Sequence, residues 1–599
     1  MNKVLTREQV NQAETWDLTR LFTTEADYEQ GIDELETWVQ ALVDNYKGKL
    51  TDVATINKAI TDYGQFYALI SHVDAYASLH LSEDQTNEAH AQRYGKLSIV
   101  IAAMMKKIVF FSSELNQVDL AVLEAAKAAS PANANYLQEV IDWRPHALTP
   151  EVEAALSEFR QVHEAPYENY DKFKFADMGF NSFQANGETH EQSFTLFENG
   201  WSGNPDTAIR REAFENFYAK LEEYENGFAN NYATQVLTEK AKANLHKFDT
   251  TIEYLLHDQQ VNVALYDRQI DLIMEHLAVP MRKYANLLKD IHGLDKLTYA
   301  DLHLDVDPDF EPSISAEESR KYAIDGLALL GDGYREMIEK AYDERWIDFP
   351  QSVGRSTGGF CASPYGKGSF ILLNWNNAMN EVFVLAHELG HAGHFYYAAQ
   401  NQPPLDTRPS LYFIEAPSTM NEVIMADYLK GQSEDPRFKR WVLSTMVSRT
   451  YYHNCVTHLL EAHYQREVYR CVENQAPITA QVLNELYLAT LKKFWGDTVE
   501  IPDYAGRTWM RQPHYFMGLY PYTYSAGLTI STAAFSKIKD GTLSVEKWLD
   551  VLRAGGTKSP LALAQMADVD LSTEAPLMSM INYVGDMVDE IIAITQNLN

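Results

Sequence analysis

Over 599 residues the chain carries 84 acidic against 50 basic side chains, a formal charge of −34 at pH 7, which argues against nucleic acid or an anionic membrane as a partner. Its three cysteines, Cys361, Cys455 and Cys471, share no CxxC spacing, which argues against a disulfide framework and for a reducing, cytoplasmic compartment. Gly and Pro are sparse and no low-complexity linker divides the chain, so closely packed subdomains are expected.

The N-terminal stretch MNKVLTREQVNQAETWDL has no apolar signal-peptide core, and the longest suspect run, 99–105, stops at Lys106 and Lys107. No membrane span is expected. Ile32, Leu35, Val39 and Leu42 recur at helical steps, and similar patterns over 56–80, 86–117 and 119–128 predict antiparallel helices joined by short polar turns. At 170–200 the Asn186-Gly187 pair between alternating residues predicts a β-hairpin. Helix is expected again from Asn204-Pro205-Asp206, with long helices over 210–245, 265–293 and 315–345. The acidic stretch near 297–307 has neither the glycine nor the terminal Glu of a calcium loop.

GRSTGGFCASPYGKGSFILLNW, from Gly354, is Gly-rich and ends in alternating apolar residues, which predicts a hairpin. Its edge at Gly358, Gly359 and Phe360 is a candidate substrate-binding strand, because an extended peptide can add to it through main-chain hydrogen bonds. It lacks GxxxxGK[ST], so a phosphate loop is not expected. EVFVLAHELGHAGHFYY follows at Glu381. On a helix His387 and His391 lie one turn apart on one face, where two imidazoles can bind one tetrahedral Zn²⁺ with Glu388 toward the open position. Pro403 and Pro404 set the latest end of that helix.

A buried helix can also carry two satisfied core histidines, so a third ligand decides the matter. Glu415, at the start of FIEAPSTMNEVIMADYL and 24 residues after His391, is the candidate. Pro417 marks the first turn of a second helix there. Two turns on, Glu422 either accepts a hydrogen bond from a ligating imidazole or sits on a solvated face. His394 is not expected to be a ligand: the pattern with a third histidine needs Gly and His where His394 and Tyr397 stand. A supporting or core role is expected for it.

Helix is predicted over 436–475 and 478–495. HYFMGLYPYTYSAG, from His514, then brings Tyr515, Tyr520, Tyr522 and Tyr524. Core aromatics are the usual case for such a cluster, but hydroxyls and one imidazole facing a zinc-bound carbonyl would supply the donors that a tetrahedral oxyanion needs. The tail after Leu528 reads as helix with one break at AGGTKSP.

HELGHAGH at 387–394, FIEAPS at 413–418 and the His-Tyr cluster resemble the thimet-type oligopeptidases, the M3 metallopeptidases. TWDLTRLF, the FADMGF and NGETH hairpin, and AGGTKSP resemble the oligoendopeptidase F branch, and the likeness covers nearly the whole chain. It implies a predominantly α, two-lobed helical zincin-type body with a deep central channel and small hairpins near the site. It also implies an N-terminal helical region at 1–115, an oligopeptidase F-type domain at 116–200 and an M3 catalytic domain at 201–599. One Zn²⁺ per chain would be held by His387, His391 and Glu415, with Glu388 as general base. His514, Tyr520 and Tyr524 match the family's substrate and oxyanion contacts; Gly527 stands near where animal thimet enzymes carry a further tyrosine, and Tyr522 is a candidate to substitute as a substrate contact. The expected activity is zinc-dependent endopeptidase cleavage of short unstructured peptides. A carboxypeptidase or dipeptidyl carboxypeptidase would need a cation for the terminal carboxylate, for which Arg507 and Arg511 are candidates. A non-catalytic zinc-holding peptide binder is the other class, and Glu388 between intact ligands argues against it.

Overall fold

The computed structural model describes residues 5–598. Side-chain caps set where the first helices begin. Thr24, Asp52 and Asn87 accept backbone N–H groups at the starts of α1 (Glu25–Tyr46), α2 (Val53–Glu83) and α3 (Glu88–Ile108), satisfying donors that the helix itself leaves free. The predicted hairpin is present as β1 (Phe183–Ala185) and β2 (Glu188–His190), and its Asn186 and Gly187 both take positive φ, at 53° and 81°, as a two-residue turn of this kind requires. α4 (Thr207–Leu245) follows, capped by Asp206. The single helix expected over 315–345 is instead two, Ala316–Gly326 and Asp332–Asp343. Gly331 stands between them at φ 86°, a conformation that ends one helix and re-aims the next.

A three-stranded sheet then sets the geometry of the site. β3 (Ile347–Pro350), not anticipated from the sequence, runs parallel to β5 (Phe370–Trp375), and β4 (Phe360–Ala362) lies antiparallel on the other side of β5. Alternation along β5 divides the interior. Phe370 and Leu372 join a core built from residues 16–137, while Ile371, Leu373 and Trp375 join a larger one drawn from residues 170–591. Asp348 of β3, fully buried, clamps the N-terminal segment by accepting from Arg7, Arg355 and the Trp16 amide.

After the sheet come α5 (Glu381–Asn401), which ends just before the two prolines, α6 (Ala416–Lys430) and α7 (Pro436–Thr445). The helix expected over 436–475 is continuous but widened in the middle by two π turns, Met446–Tyr451 and His453–Thr457, before α8 (His458–Glu473). α9 (Pro521–Lys539) and the terminal α10 (Ala575–Leu598) close the molecule, with the expected break at Gly555 and Gly556. The architecture is predominantly helical, with small strands beside the site. Among the described residues no helix is long and apolar enough to cross a membrane.

Candidate metal centre

α5 and α6 approach at backbone distance because two glycines remove the side chains that would hold them apart. A Cβ on Gly390 would lie 2.5 Å from both Pro417 O and Ser418 Cα, and one on Gly527 of α9 would lie 2.7 Å from Glu415 Cβ. Glu415 is therefore wedged between α5 and α9, just ahead of the first turn of α6. A tyrosine at 527 has no room here.

This packing brings together His387 and His391 from α5 with Glu415. Each imidazole Nε2 is 3.3 Å from Glu415 Oε2, and one atom from each of the three residues falls within a 4.8 Å group. Metal–ligand arms of about 2.0–2.1 Å at tetrahedral angles give an edge of about 3.3–3.4 Å, so the donor set fits zinc in type and spacing. The His387 imidazole presents Nε2 because its other nitrogen is engaged. His387 Nδ1 lies 2.7 Å from Glu422 Oε1, and Glu422 Oε2 in turn accepts from the Thr450 hydroxyl. A hydrogen bond of this sort fixes the tautomer and ring orientation of a ligating histidine.

Electrostatics agree with the geometry. Burial opposes charge on His387, yet the Glu415 and Glu422 carboxylates outweigh it and raise the ring's pKa, a pull on a cation that metal and proton compete for. Burial opposes the Glu415 carboxylate too, and His391 and His387 hold it well below its ordinary value. Glu388 is different: burial raises its pKa despite both histidines. It is 5% exposed, and its Oε2 has no hydrogen-bond partner among the described residues. An unpartnered buried carboxylate oxygen is costly unless something else uses it.

All of these residues line a cleft of about 910 Å³. β4 forms one side of it. A Cβ on Gly359 would be 3.4 Å from Glu388 Oε1, so the edge strand passes directly over that carboxylate. Gly359, Phe360 and Cys361 line the cleft, while Gly358, at φ 78°, makes the turn into the strand and its carbonyl accepts from Asn374. Tyr520 and Tyr524 also line the cleft, their rings packed edge to face with centroids 5.2 Å apart. His514 stands one layer behind, stacked on Tyr520 with ring centroids 5.6 Å apart.

Two expectations are corrected. Tyr522 does not face the cleft: it is fully buried against Tyr266 and Tyr412, and its hydroxyl donates to Gln259. It lies two residues from each of Tyr520 and Tyr524 at the start of α9, so helical geometry turns it to another face. Arg507 and Arg511 are not free to hold a substrate carboxylate either. Arg507 is paired with Glu222 and Glu225, and Arg511 packs on Phe197 and Phe217. The guanidiniums that do line the cleft are Arg408 and Arg449. His394 is fully buried beside Phe395 and Phe413, neither nitrogen has a partner among the described residues, and burial pushes its pKa down to about 3. It is a core residue.

Sequence reasoning missed a second polar cluster behind Tyr524. Glu461 Oε2 lies 2.8 Å from His458 Nδ1 and 3.2 Å from His514 Nδ1, and His458 Nε2 lies 3.1 Å from His453 Nε2. The His458/Glu461 spacing of three residues on a helix was the available signal. These unequal, shorter separations suit hydrogen bonds to a carboxylate and not the edges of a metal tetrahedron.

Comparison with known proteins agrees with this geometry. The profile described as peptidase family M3 matches residues 202–583, and one described as oligopeptidase F matches residues 114–180. Oligopeptidase PepF of Bacillus subtilis is 26% identical over 98% of this chain and 88% of its own length. Group B oligopeptidase PepB of Streptococcus agalactiae is 25% identical over 95% of this chain and 94% of its own. In fold the chain is similar to the crystal structure of oligoendopeptidase-F from Enterococcus faecium, with a TM-score of 0.74 at 20% identity over 96% of this chain and 99% of that one.

Proposed function

The chain belongs to peptidase family M3 and is a metalloendopeptidase; from that premise we propose that it cleaves internal bonds of short, unstructured oligopeptides, with one zinc held by His387, His391 and Glu415. The observation that carries this reading is the convergence of three metal-type donors beside Glu388, whose Oε2 is unpartnered in the same cleft. Bound there, zinc supplies Lewis acidity to water and to the scissile carbonyl. Glu388 takes the proton of the attacking water at Oε2 and hands it to the leaving amine. Its raised pKa suits a group that must hold that proton between the two transfers. The Tyr520 and Tyr524 hydroxyls donate toward the carbonyl oxygen as it gains charge, and His514 holds Tyr520 from behind. The β4 edge takes the peptide backbone through main-chain hydrogen bonds that ignore side-chain identity. The cysteines are all unpaired, which supports a cytoplasmic setting.

Mass spectrometry of products from short peptides, free and C-terminally amidated, tests the reading. Internal cuts in both forms, abolished by a zinc chelator and restored by zinc, are expected. Glu388→Gln should keep zinc and lose turnover; hydrolysis at the wild-type rate would remove Glu388 from the mechanism. One observation favours a second reading: Arg408 and Arg449 line the cleft outside any ion pair among the described residues, as a site for a terminal carboxylate would require. Cleavage confined to free C-termini would establish the carboxypeptidase or dipeptidyl carboxypeptidase instead.

A further inference from the structure

The π turns ahead of α8 have a geometric effect that bears on the cleft. In an α-helix residues five apart are rotated by about 140° and cannot meet. A π turn, closed by i→i+5 hydrogen bonds, sets them one above the other. His453 and His458 are five apart, and the turn His453–Thr457 brings their Nε2 atoms to 3.1 Å. The distortion therefore pairs two imidazoles that a regular helix would separate.

That pairing determines which nitrogen of His453 carries a proton. Glu461, 1% exposed, has no arginine or lysine partner among the described residues and takes hydrogen bonds from His458 Nδ1 and His514 Nδ1 on one oxygen. The carboxylate accepts, so both Nδ1 atoms carry hydrogen. His458 is 2% exposed and stacks on Tyr524 at 4.1 Å. It is neutral there: burial depresses its pKa despite Glu461. With its proton on Nδ1, its Nε2 is a lone pair, and the 3.1 Å contact is His453 Nε2–H donating to it. The remaining nitrogen, His453 Nδ1, is then an acceptor. His453 is exposed and lines the cleft with Glu388, Tyr520 and Tyr524, and no described residue hydrogen-bonds to its Nδ1.

We propose that His453 is a substrate-contacting residue whose Nδ1 accepts a hydrogen bond from a backbone N–H of the bound peptide. The inference rests on the oligopeptide reading above. It adds a side-chain acceptor to the cleft that the β4 edge also lines, so a peptide is held by main-chain bonds to both and its sequence matters little. The chain Glu461, His458, His453 serves to keep that acceptor in one tautomer.

The test uses full-length, zinc-loaded enzyme, a peptide that the wild type cleaves, and variants of that peptide N-methylated at one backbone nitrogen at a time. His453→Ala should lower kcat/KM about tenfold, the scale of one hydrogen bond, with zinc content and unfolding midpoint unchanged. At one position N-methylation should cost the wild type a similar factor and cost His453→Ala nothing further, while His453→Asn, which keeps an acceptor near Nδ1, retains the dependence. Losses that simply multiply at every position would overturn the proposal. Dependence on N-terminal acetylation instead would also overturn it, by showing that the donor is the terminal amine. Should His453→Ala lose zinc or fold, the wild type and His453→Asn decide the question through the same methylation scan. Absence of chelator-sensitive cleavage by the wild type would count against the underlying reading and not against His453.

Discussion

Glu422 holds His387 Nδ1, and so decides which His387 nitrogen is left for a metal. Its Oε1 holds Nδ1 at 2.7 Å and its Oε2 is held by Thr450, so the carboxylate is itself oriented. Removing it with Glu422→Ala frees the ring to rotate and to lose its Nδ1 partner, and zinc affinity should fall about 10–100-fold, as measured by competition with a chromogenic chelator. Unchanged affinity would make Glu422 a bystander. Much of this was legible at the residue scale, because HExxH, Glu415 and Glu422 are fixed by helical spacing within two short segments. Tyr522 was misread because residue type was weighed without helical phase: 520 and 524 share a face and 522 does not. His453 was invisible for a different reason, since its pairing with His458 depends on a π turn that no side-chain pattern announces.

Elements position the ligands through contact surfaces that must be bare. α5 and α6 make the tightest helix pair at the site, and Gly390 is where they touch, with a hypothetical Cβ 2.5 Å from the Pro417 carbonyl and from Ser418 Cα. Those neighbours are backbone and cannot swing aside. Gly390→Ala should therefore part the helices, costing about 1–3 kcal/mol of stability and displacing Glu415 from the histidines. A lower unfolding midpoint together with reduced zinc content, measured by metal analysis after dialysis, is the expected pair of results; a stable variant with full zinc would show that the helices have slack. Helix boundaries were readable from caps and prolines, and the Asn186-Gly187 hairpin from its turn chemistry. β3 was not, because four residues with Asp348 buried among them carry no alternation, and their strand character comes only from pairing with β5.

At the scale of the molecule, two cores meet across β5, and alternation could announce a two-sided strand without saying what each side would cover. Buried carboxylates outside the candidate metal centre shape the stability of the molecule against pH. Glu239 of α4 is 5% exposed, and it accepts from Tyr469 of α8 and from Gln235. Burial pushes its pKa up to about 7 from an ordinary 4.5. Between those values the folded chain holds a proton that the unfolded chain has released, so stability falls as pH rises through the window and the loss is complete above 7. Glu461 has the opposite sign. Burial works against its carboxylate, and His458 and His514 still bring its pKa down to about 2, so its contribution is present above 4.5 and is lost as pH falls toward 2. The Glu239 effect can be isolated with Glu239→Gln, which keeps an acceptor for Tyr469 and does not titrate. Relative to this variant, the wild type should lose up to about 3 kcal/mol between pH 5 and pH 8, read from denaturant unfolding at the two pH values. A difference that stays constant across that range would mean that Glu239 is already ionised in the folded protein at pH 5, with the Tyr469 hydroxyl and Gln235 amide solvating its charge as well as water does.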